Sequence, residues 1–413
     1  MKLPIKHHSL TGRITAELMR QAFKNVKRHR GAAGIDKVSI GMFEANLDQN
    51  LAALMRDLKT GTFQPLPVRR VYLPKGQGRF RPLGIPAVRD RVAQDVLRQL
   101  LSPLFEPLFH CDSFGFRPRR NCHQALERVL ELCQHGYTQV LDADIDQFFD
   151  NLLQSAMMQE LRDVVADGNI LNLVERFLRA GVLEQGIRKP TLRGTPQGGV
   201  LSPLLANIAL NVLDWQLAEH GCHFVRYADD FVVLARSQEQ LKEARALVER
   251  TLTPLGLTLS ADKTTLTTFG QGFTFLGFEV SSRTVRMRAK AVEKLKTSVR
   301  ELTRRCHNLD AQVVGKLNAV VRGVANYFAT GFSRVANQFR TLDRWLRMRL
   351  RCMKRKRKSR RDNLRVRLKH LRRLGVVYLS DFLKRLRSKV PRFPPWGAST
   401  RGSPGARKGH AGK

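Results

Sequence analysis

The sequence predicts an α/β fold, a sheet with helices on one face, joined to an all-helical and strongly basic C-terminal region. Three observations predict it. Two apolar runs, His223-Phe224-Val225-Arg226 and Phe231-Val232-Val233-Leu234, flank Tyr227-Ala228-Asp229-Asp230, the pattern of two strands joined by a tight acidic turn. From about residue 66 to 282, strand-like and helix-like segments alternate. Val313, Val314, Leu317, Val320, Val321, Val324 and Phe328 then recur at i, i+3, i+4, one face of an amphipathic helix packed in a small bundle.

Taken in order, residues 1 to about 65 read as an N-terminal extension of short helices around Gly31-Ala32-Ala33-Gly34-Ile35-Asp36. Val68 to Leu73 reads as a strand running into a Gly76-Gln77-Gly78 turn, with a second short strand ending near Ile85. Val88 to Leu101 is a helix through Val92, Val96, Leu97 and Leu100. Thr138 to Ile145 reads as a buried strand, and Leu201 to Leu213 as an apolar helix after a Gly-rich turn. Leu257 to Leu259 and Phe273 to Phe278 read as further strands. Residues 283 to 390 are helical and basic, and from Arg344 to Arg373 16 of 30 residues are Lys or Arg, with Asp362 the single acid. A helix so charged has nothing nearby in sequence to compensate it. The tail, 391–413, is rich in Pro, Gly, Ser and basic residues and reads as disordered.

Composition narrows the function. The 413 residues carry 73 Lys+Arg against 35 Asp+Glu, a net charge of +38. Such a field binds phosphate backbones by counterion release, so the partner is a polyanion. Cys111, Cys122, Cys133, Cys222, Cys306 and Cys352 are scattered, without zinc-ligand spacing, and read as reduced thiols. No 18-residue apolar run and no N-terminal apolar segment occur, so no membrane partner is expected and the setting reads as intracellular.

The acids carry the chemistry. Asp229 and Asp230 repel one another at a strand turn, which a bound divalent cation would relieve. Asp142, Asp144 and Asp146 alternate and so share one face at the end of their strand. Carboxylates from a strand end and an adjacent hairpin tip can converge on two Mg²⁺ ions for an in-line phosphoryl displacement. Lys75 and Arg81 flank the Gly76–Gly78 turn and could close over phosphates. Thr195-Pro196-Gln197-Gly198-Gly199 opens a helix, either as a backbone approach to a nucleotide or as a plain turn, and it is not a Walker A loop.

Six ordered motifs carry a resemblance. Arg81-Pro82-Leu83-Gly84-Ile85-Pro86, Ser113-Phe114-Gly115-Phe116-Arg117-Pro118, Asp144-Ile145 with Phe148-Phe149-Asp150, Gly194 to Pro203, Arg226 to Asp230, and Phe275-Leu276-Gly277-Phe278 stand in the order seen in group II intron-encoded reverse transcriptases. The resemblance spans about residues 20 to 385, and the run Leu317 to Phe328 with Leu342 to Leu346 resembles the family's thumb and maturase region. It implies a right-hand polymerase fold, with fingers and palm over 66–282 and a thumb/maturase domain over 283–390. It implies that Asp144, Asp229 and Asp230 are the catalytic metal ligands, joined by the Ile145 carbonyl, for Mg²⁺ with Mn²⁺ as a substitute. Lys75 and Arg81 resemble the triphosphate contacts, Gln197 and Gly198 the nucleotide contacts, and Phe149 the sugar gate, a ring that leaves no room for a 2′-OH. Tyr227 resembles the residue under the primer end. Lys263 stands where it could protonate leaving pyrophosphate or simply lie at the surface. Asp142 and Asp146 read as surrounding charge.

The implied activity is copying RNA into DNA, with a dNTP, an RNA template with its DNA primer, structured intron RNA and target DNA as partners. Lys354, Arg355, Lys356, Arg357 and Lys358 are the expected RNA contacts. The implied setting is a bacterial cytoplasm, and the implied state a monomer or weak dimer. The chain carries no paired zinc-ligand motif after the basic region, so it resembles the group IIC-like members without a nuclease domain. Two other readings stay open: a mainly RNA-binding splicing cofactor, and a domesticated relative in DNA repair or phage defence.

Overall fold

The computed structural model describes residues 6–76, 78–195 and 198–386, with backbone alone at 75, 76, 79 and 384–386. The expectation of a disordered tail over 391–413 falls outside the described residues. The chain divides into two compact units, one ending at Thr268 and the other beginning at Phe269.

In the first unit, the helices Ala16–His29 and Leu47–Thr60 each bury one stripe, Met19, Ala22, Phe23 and Val26 on the former and Leu51, Leu54 and Leu58 on the latter. Thr15 caps the first by accepting the Leu18 amide. The Gly31–Asp36 segment is docked by two arginines. Buried Arg91 donates to the carbonyls of Ala32 and Pro86, and Arg69 donates to Ala33. Gly34 lies so close to Ala87 that a Cβ would come within 2.6 Å of its backbone, so only glycine fits.

Strands β1 (Val68–Gly76) and β2 (Arg79–Ile85) form the expected antiparallel hairpin. They join β4 (Val182–Glu184) and β5 (Ile187–Lys189) in a sheet of order β2-β1-β4-β5, with β1 and β4 parallel. A second sheet is fully antiparallel. It contains β3 (Gln139–Asp144), β6 (His223–Tyr227), β7 (Asp230–Ala235) and β8 (Thr265–Thr268), in the order β6-β7-β3-β8. Leu141, Ala143, Phe224, Phe231 and Val233 alternate onto one face and join the main core, which includes the apolar helix Ser202–Glu219 and the helix Gln238–Leu252. Val140, Val225 and Val232, on the other face, are buried too. That second face is thus buried at its centre, while Asp144, Tyr227 and Asp230 at its end are only partly covered.

Two strand assignments need correction. Leu257–Leu259 contributes a single bridge, Leu259 to Ile145, and the edge strand is β8. Its Thr-Leu-Thr-Thr sequence lacks a sustained apolar run, which hid it. Phe273–Phe278 is two strands of the second unit, β9 (Phe273–Phe275) and β10 (Phe278–Val280). Leu276 (φ 47°) and Gly277 (φ 82°) both adopt left-handed backbone, the signature of a two-residue hairpin turn. With β11 (Val285–Met287) they form a three-stranded sheet, so the C-terminal unit is not purely helical.

The helix Ala311–Phe328 buries Val314, Leu317, Val321 and Phe328 as the periodicity predicts, and Asp310 caps it. The basic stretch breaks into pieces. The helix Ala336–Arg355 stops at Lys356 (φ 55°), and Asp362–Arg365, Leu368–Arg373 and Leu379–Leu386 follow as short helices. Buried Asp362 pairs with Arg357 at 3.3 Å.

Asp90, in the first turn of the helix Val88–Phe105, gives one stability prediction. It is buried, its Oδ2 accepts the Leu66 amide at 2.9 Å, and burial pushes its carboxyl up from 3.8 to about 7. Its folded pKa lies above its unfolded one. The folded state therefore holds the proton more tightly, and stability falls as pH rises between those values. Asp90→Asn should remove this loss. Thermal melts should show a Tm gain over the parent of about 4 °C or more at pH 8 that vanishes near pH 4. A gain of the same size at both pH values would contradict the assignment.

Candidate active site

Asp144 ends β3 and Asp230 begins β7, and the two face each other directly in the register. Asp144 turns its backbone toward the other side, where its carbonyl accepts Ser260 N–H at 2.8 Å. The Asp144–Asp230 pair is therefore the narrow, non-hydrogen-bonded kind, in which Cα atoms lie about 4.5 Å apart and side chains crowd. Tyr227 stands opposite Asp230 across the hairpin, so all three side chains emerge on one face. Asp229 sits in the intervening turn. Its carboxyl is pushed up, first by burial and then by the charge of Asp144, while Arg81 and Arg226 pull it down. Asp229 thus senses the charge of Asp144, which faces Asp230 across the strands, and exposed Arg81 on β2 acts upon Asp229.

Ile145 follows Asp144 and forms the narrow antiparallel pair with Leu259. That pairing directs its carbonyl away from Leu259, to the side on which β7 lies. Lys263 places Nζ 2.5 Å from Asp144 Oδ2, the arrangement of a cation held by that carboxylate. Asp142 shares the Asp144 face, and burial with the Asp144 charge pushes its carboxyl up to about 6. Asp146 lies beyond the strand, its amide tied to Thr258.

Phe149 is half-buried in the single-turn helix Phe148–Asn151, edge-on to Phe148 at 5.0 Å. The Gly-rich turn packs against it. Thr195 N–H donates to the Phe149 carbonyl at 2.8 Å, and a Cβ on Gly194 would lie 2.3 Å from the same oxygen. Gly198 in turn crosses Gly84 of β2, where a Cβ would meet the carbonyl at 2.3 Å. Phe149, Gly198 and the β2 strand bearing Arg81 are therefore brought together. Gln197 lies outside the described residues, and Lys75 belongs to β1. The amides of Val200 and Leu201, which open the following helix, are both taken by Gln94 Oε1 (2.7 and 3.3 Å), so they are not free anion donors. Lys354, Arg355, Lys356, Arg357 and Lys358 belong to the second unit and are all exposed.

The residue that sequence reading missed is Arg226. In sequence it reads as part of an apolar strand, yet it is a fully buried cation. Its guanidinium forks onto Asp214 and its Nη1 donates to Asn207 Oδ1 at 3.0 Å and to the Ala228 carbonyl at 2.9 Å. An arginine in an apolar strand and an aspartate in the apolar helix Ser202–Glu219 were the available signals. The Ser113–Pro118 motif also gains a role. Phe114 N–H donates to the Arg226 carbonyl, and Gly115 abuts the turn so closely that a Cβ would lie 2.2 Å from the Ala228 nitrogen.

The chemistry of this donor set, three carboxylates and a carbonyl, suits hard cations such as Mg²⁺. Among the described residues, the group of chelating side chains that closes to within 4.8 Å is a different one, His110, Cys111 and Asp112. There Asp112 is engaged by Arg128 at 2.8 Å and the His110 Nδ1 accepts the Asp112 amide. Among the described residues, no helix is long and apolar enough to cross a membrane.

Comparison with known proteins gives two family matches. Residues 73–280 match the family described as reverse transcriptase (RNA-dependent DNA polymerase), and residues 292–375 match the group II intron maturase-specific domain. Protein YkfC of Escherichia coli (strain K12) is 35% identical over 286 residues, 59% of this chain and 74% of that protein. The group II intron-encoded protein LtrA of Lactococcus lactis subsp. cremoris is 37% identical over 197 residues, 47% of this chain and 32% of LtrA. A 91 kDa protein in the cob intron of Schizosaccharomyces pombe is 27% identical over 363 residues, 67% of this chain and 45% of that protein.

Proposed function

Because this chain belongs to the reverse transcriptase family, an RNA-directed DNA polymerase with a group II intron maturase domain, we propose that it copies RNA into cDNA at the Asp144/Asp229/Asp230 face and binds its intron RNA to assist splicing and retrohoming. The observation that carries this is the direct facing of Asp144 and Asp230 beside the Asp229 turn. In this reading the two sheets of the first unit serve as fingers and palm, and the helices after residue 283 as thumb and maturase domain.

Asp144, Asp229, Asp230 and the Ile145 carbonyl would hold two Mg²⁺ ions, or Mn²⁺ in their place, which supply charge neutralisation for the attacking and leaving oxygens. The primer 3′-OH displaces pyrophosphate from the dNTP α-phosphate. Tyr227, on the same face as Asp230, supports the primer end. Arg81, with Lys75, neutralises the triphosphate, and Gly198 and Gln197 line the nucleotide. Lys263, which pairs with Asp144, would give a proton to the departing pyrophosphate. The partners are dNTPs, a primed RNA template, structured intron RNA and target DNA. The protein acts in the bacterial cytoplasm as a monomer or weak dimer.

Phe149 tests the nucleotide side of the reading. Its ring, held edge-on by Phe148, would close the space a 2′-OH needs. Phe149→Ala should raise kcat/KM for NTPs relative to dNTPs by roughly 10–100-fold, the discrimination a pocket group of this size provides. Single-nucleotide incorporation assays with matched dNTP and NTP measure it. An unchanged ratio in an active variant would remove Phe149 from the gate.

A further inference from the structure

Among the described residues Arg226 is the largest fully buried side chain, and its ion pair with Asp214 is wholly out of water on both sides. Taking two charges out of water costs several kcal/mol each in solvation, and apolar residues of equal volume commonly serve stability as well or better. A contribution to stability is therefore not enough to account for this pair. Its contacts point elsewhere. Four donations use the guanidinium: two to Asp214, one to Asn207 and one to the Ala228 carbonyl. Ala228 has φ +62°, a conformation that non-glycine residues avoid and that persists only where surroundings enforce it. It directly precedes Asp229.

We propose that Arg226 is a positioning residue that sets the Ala228–Asp229 turn, and hence the metal-holding carboxylates, against the helix Ser202–Glu219. This rests on the reading of Asp144, Asp229 and Asp230 as metal-holding. Three features support it. Arg226 pairs with Phe231 and so lies on the core face with Phe224, while Asp230 and Tyr227 point the opposite way, so the guanidinium grips the turn from behind without competing for a cation. Asn207 grips the turn a second time: its Oδ1 accepts from Arg226 while its Nδ2 donates at 2.8 Å to the carbonyl of Gly115, the residue wedged against Ala228. Asp214 and Asn207 both belong to the helix that begins directly after the Gly198–Leu201 turn, which Gln94 pins. One rigid helix thus carries the nucleotide turn at its start and holds the carboxylate turn along its length.

The fork is what matters, so Arg226→Lys is the sharp variant. A lysine keeps the charge but cannot hold both Asp214 oxygens, Asn207 and the Ala228 carbonyl in one plane. Asn207→Ala is the milder one, removing a single amide. The readouts are Mn²⁺ binding by EPR without dNTP or nucleic acid, the Mg²⁺ dependence of primer extension, and thermal melting. Arg226→Lys should weaken Mn²⁺ binding about 10–100-fold, the usual effect of losing a group that orients metal ligands, and raise the Mg²⁺ half-saturation in parallel. With Mg²⁺ saturating, its dNTP KM should stay within about threefold of the parent, because the turn and not the nucleotide contacts is disturbed. Asn207→Ala should shift Mn²⁺ binding the same way, by roughly threefold to tenfold. Folded variants that bind Mn²⁺ like the parent would overturn the proposal. Loss of cooperative melting in both would make the network a folding determinant and overturn it equally. Failure of the underlying reading looks different: Asp229→Ala would then bind Mn²⁺ as the parent does.

Discussion

Asp229→Ala and Asp144→Ala should each lower primer extension by at least about 10³-fold while leaving intron RNA affinity within about twofold. Phosphoryl transfer leaves a protein little to do beyond positioning and charge stabilisation, so a lost ligand removes most of what the site contributes. Asp144 and Asp230 form a narrow pair, and Asp229 senses the charge of Asp144. Each removal therefore strips charge from the same small volume. RNA affinity should persist because the exposed cluster Lys354–Lys358 belongs to a separate unit. Extension on a primed RNA template, paired with filter binding of the intron RNA, checks both halves. A variant that extends normally would end the polymerase assignment for that residue.

Reversing the charge of Lys354, Arg355, Lys356, Arg357 and Lys358 should produce the opposite pattern. Each phosphate contact contributes close to one unit to the slope of log K against log salt, and the parent should lose on the order of 10³-fold in affinity between 50 and 200 mM salt. Removing several contacts should flatten that slope by several units and weaken intron RNA binding at least about 100-fold. The break of the Ala336–Arg355 helix at Lys356 turns these side chains away from a single helical stripe, and all five are exposed. Splicing assistance should fail while extension of a short primed template persists. An unchanged salt slope would remove the cluster from the RNA interface.

The site was largely legible because its elements are local. The 223–234 hairpin announces itself through two apolar runs around an acidic turn, and the β3 strand through alternating aspartates. Long-range geometry was not legible. Arg226 finds Asp214 and Asn207 12 and 19 residues upstream; the lone arginine in an apolar strand and the aspartate in an apolar helix were signals, but which of them meet was not readable. Lys263 reaches Asp144 across 119 residues, so this pairing was not legible from the sequence. The misread strands have a different cause. Phe273–Phe278 is mostly apolar and reads as one strand, whereas the turn at Leu276–Gly277 depends on leucine accepting a left-handed backbone, which composition argues against. Leu257–Leu259 carries strand-like residues but makes one bridge, because pairing is set by what lies alongside and not by propensity.

Gly115 has a consequence for how this enzyme can vary. With the Ala228 nitrogen in the space a β-carbon would need, its position accepts a hydrogen and nothing larger unless the acidic turn itself moves. A library randomised at codon 115 and selected for cDNA output should return glycine almost alone. The same library selected only for intron binding should tolerate alanine and serine there. The backbone of one loop, not a side chain, would then be what ties two distant stretches of the gene to a shared fate.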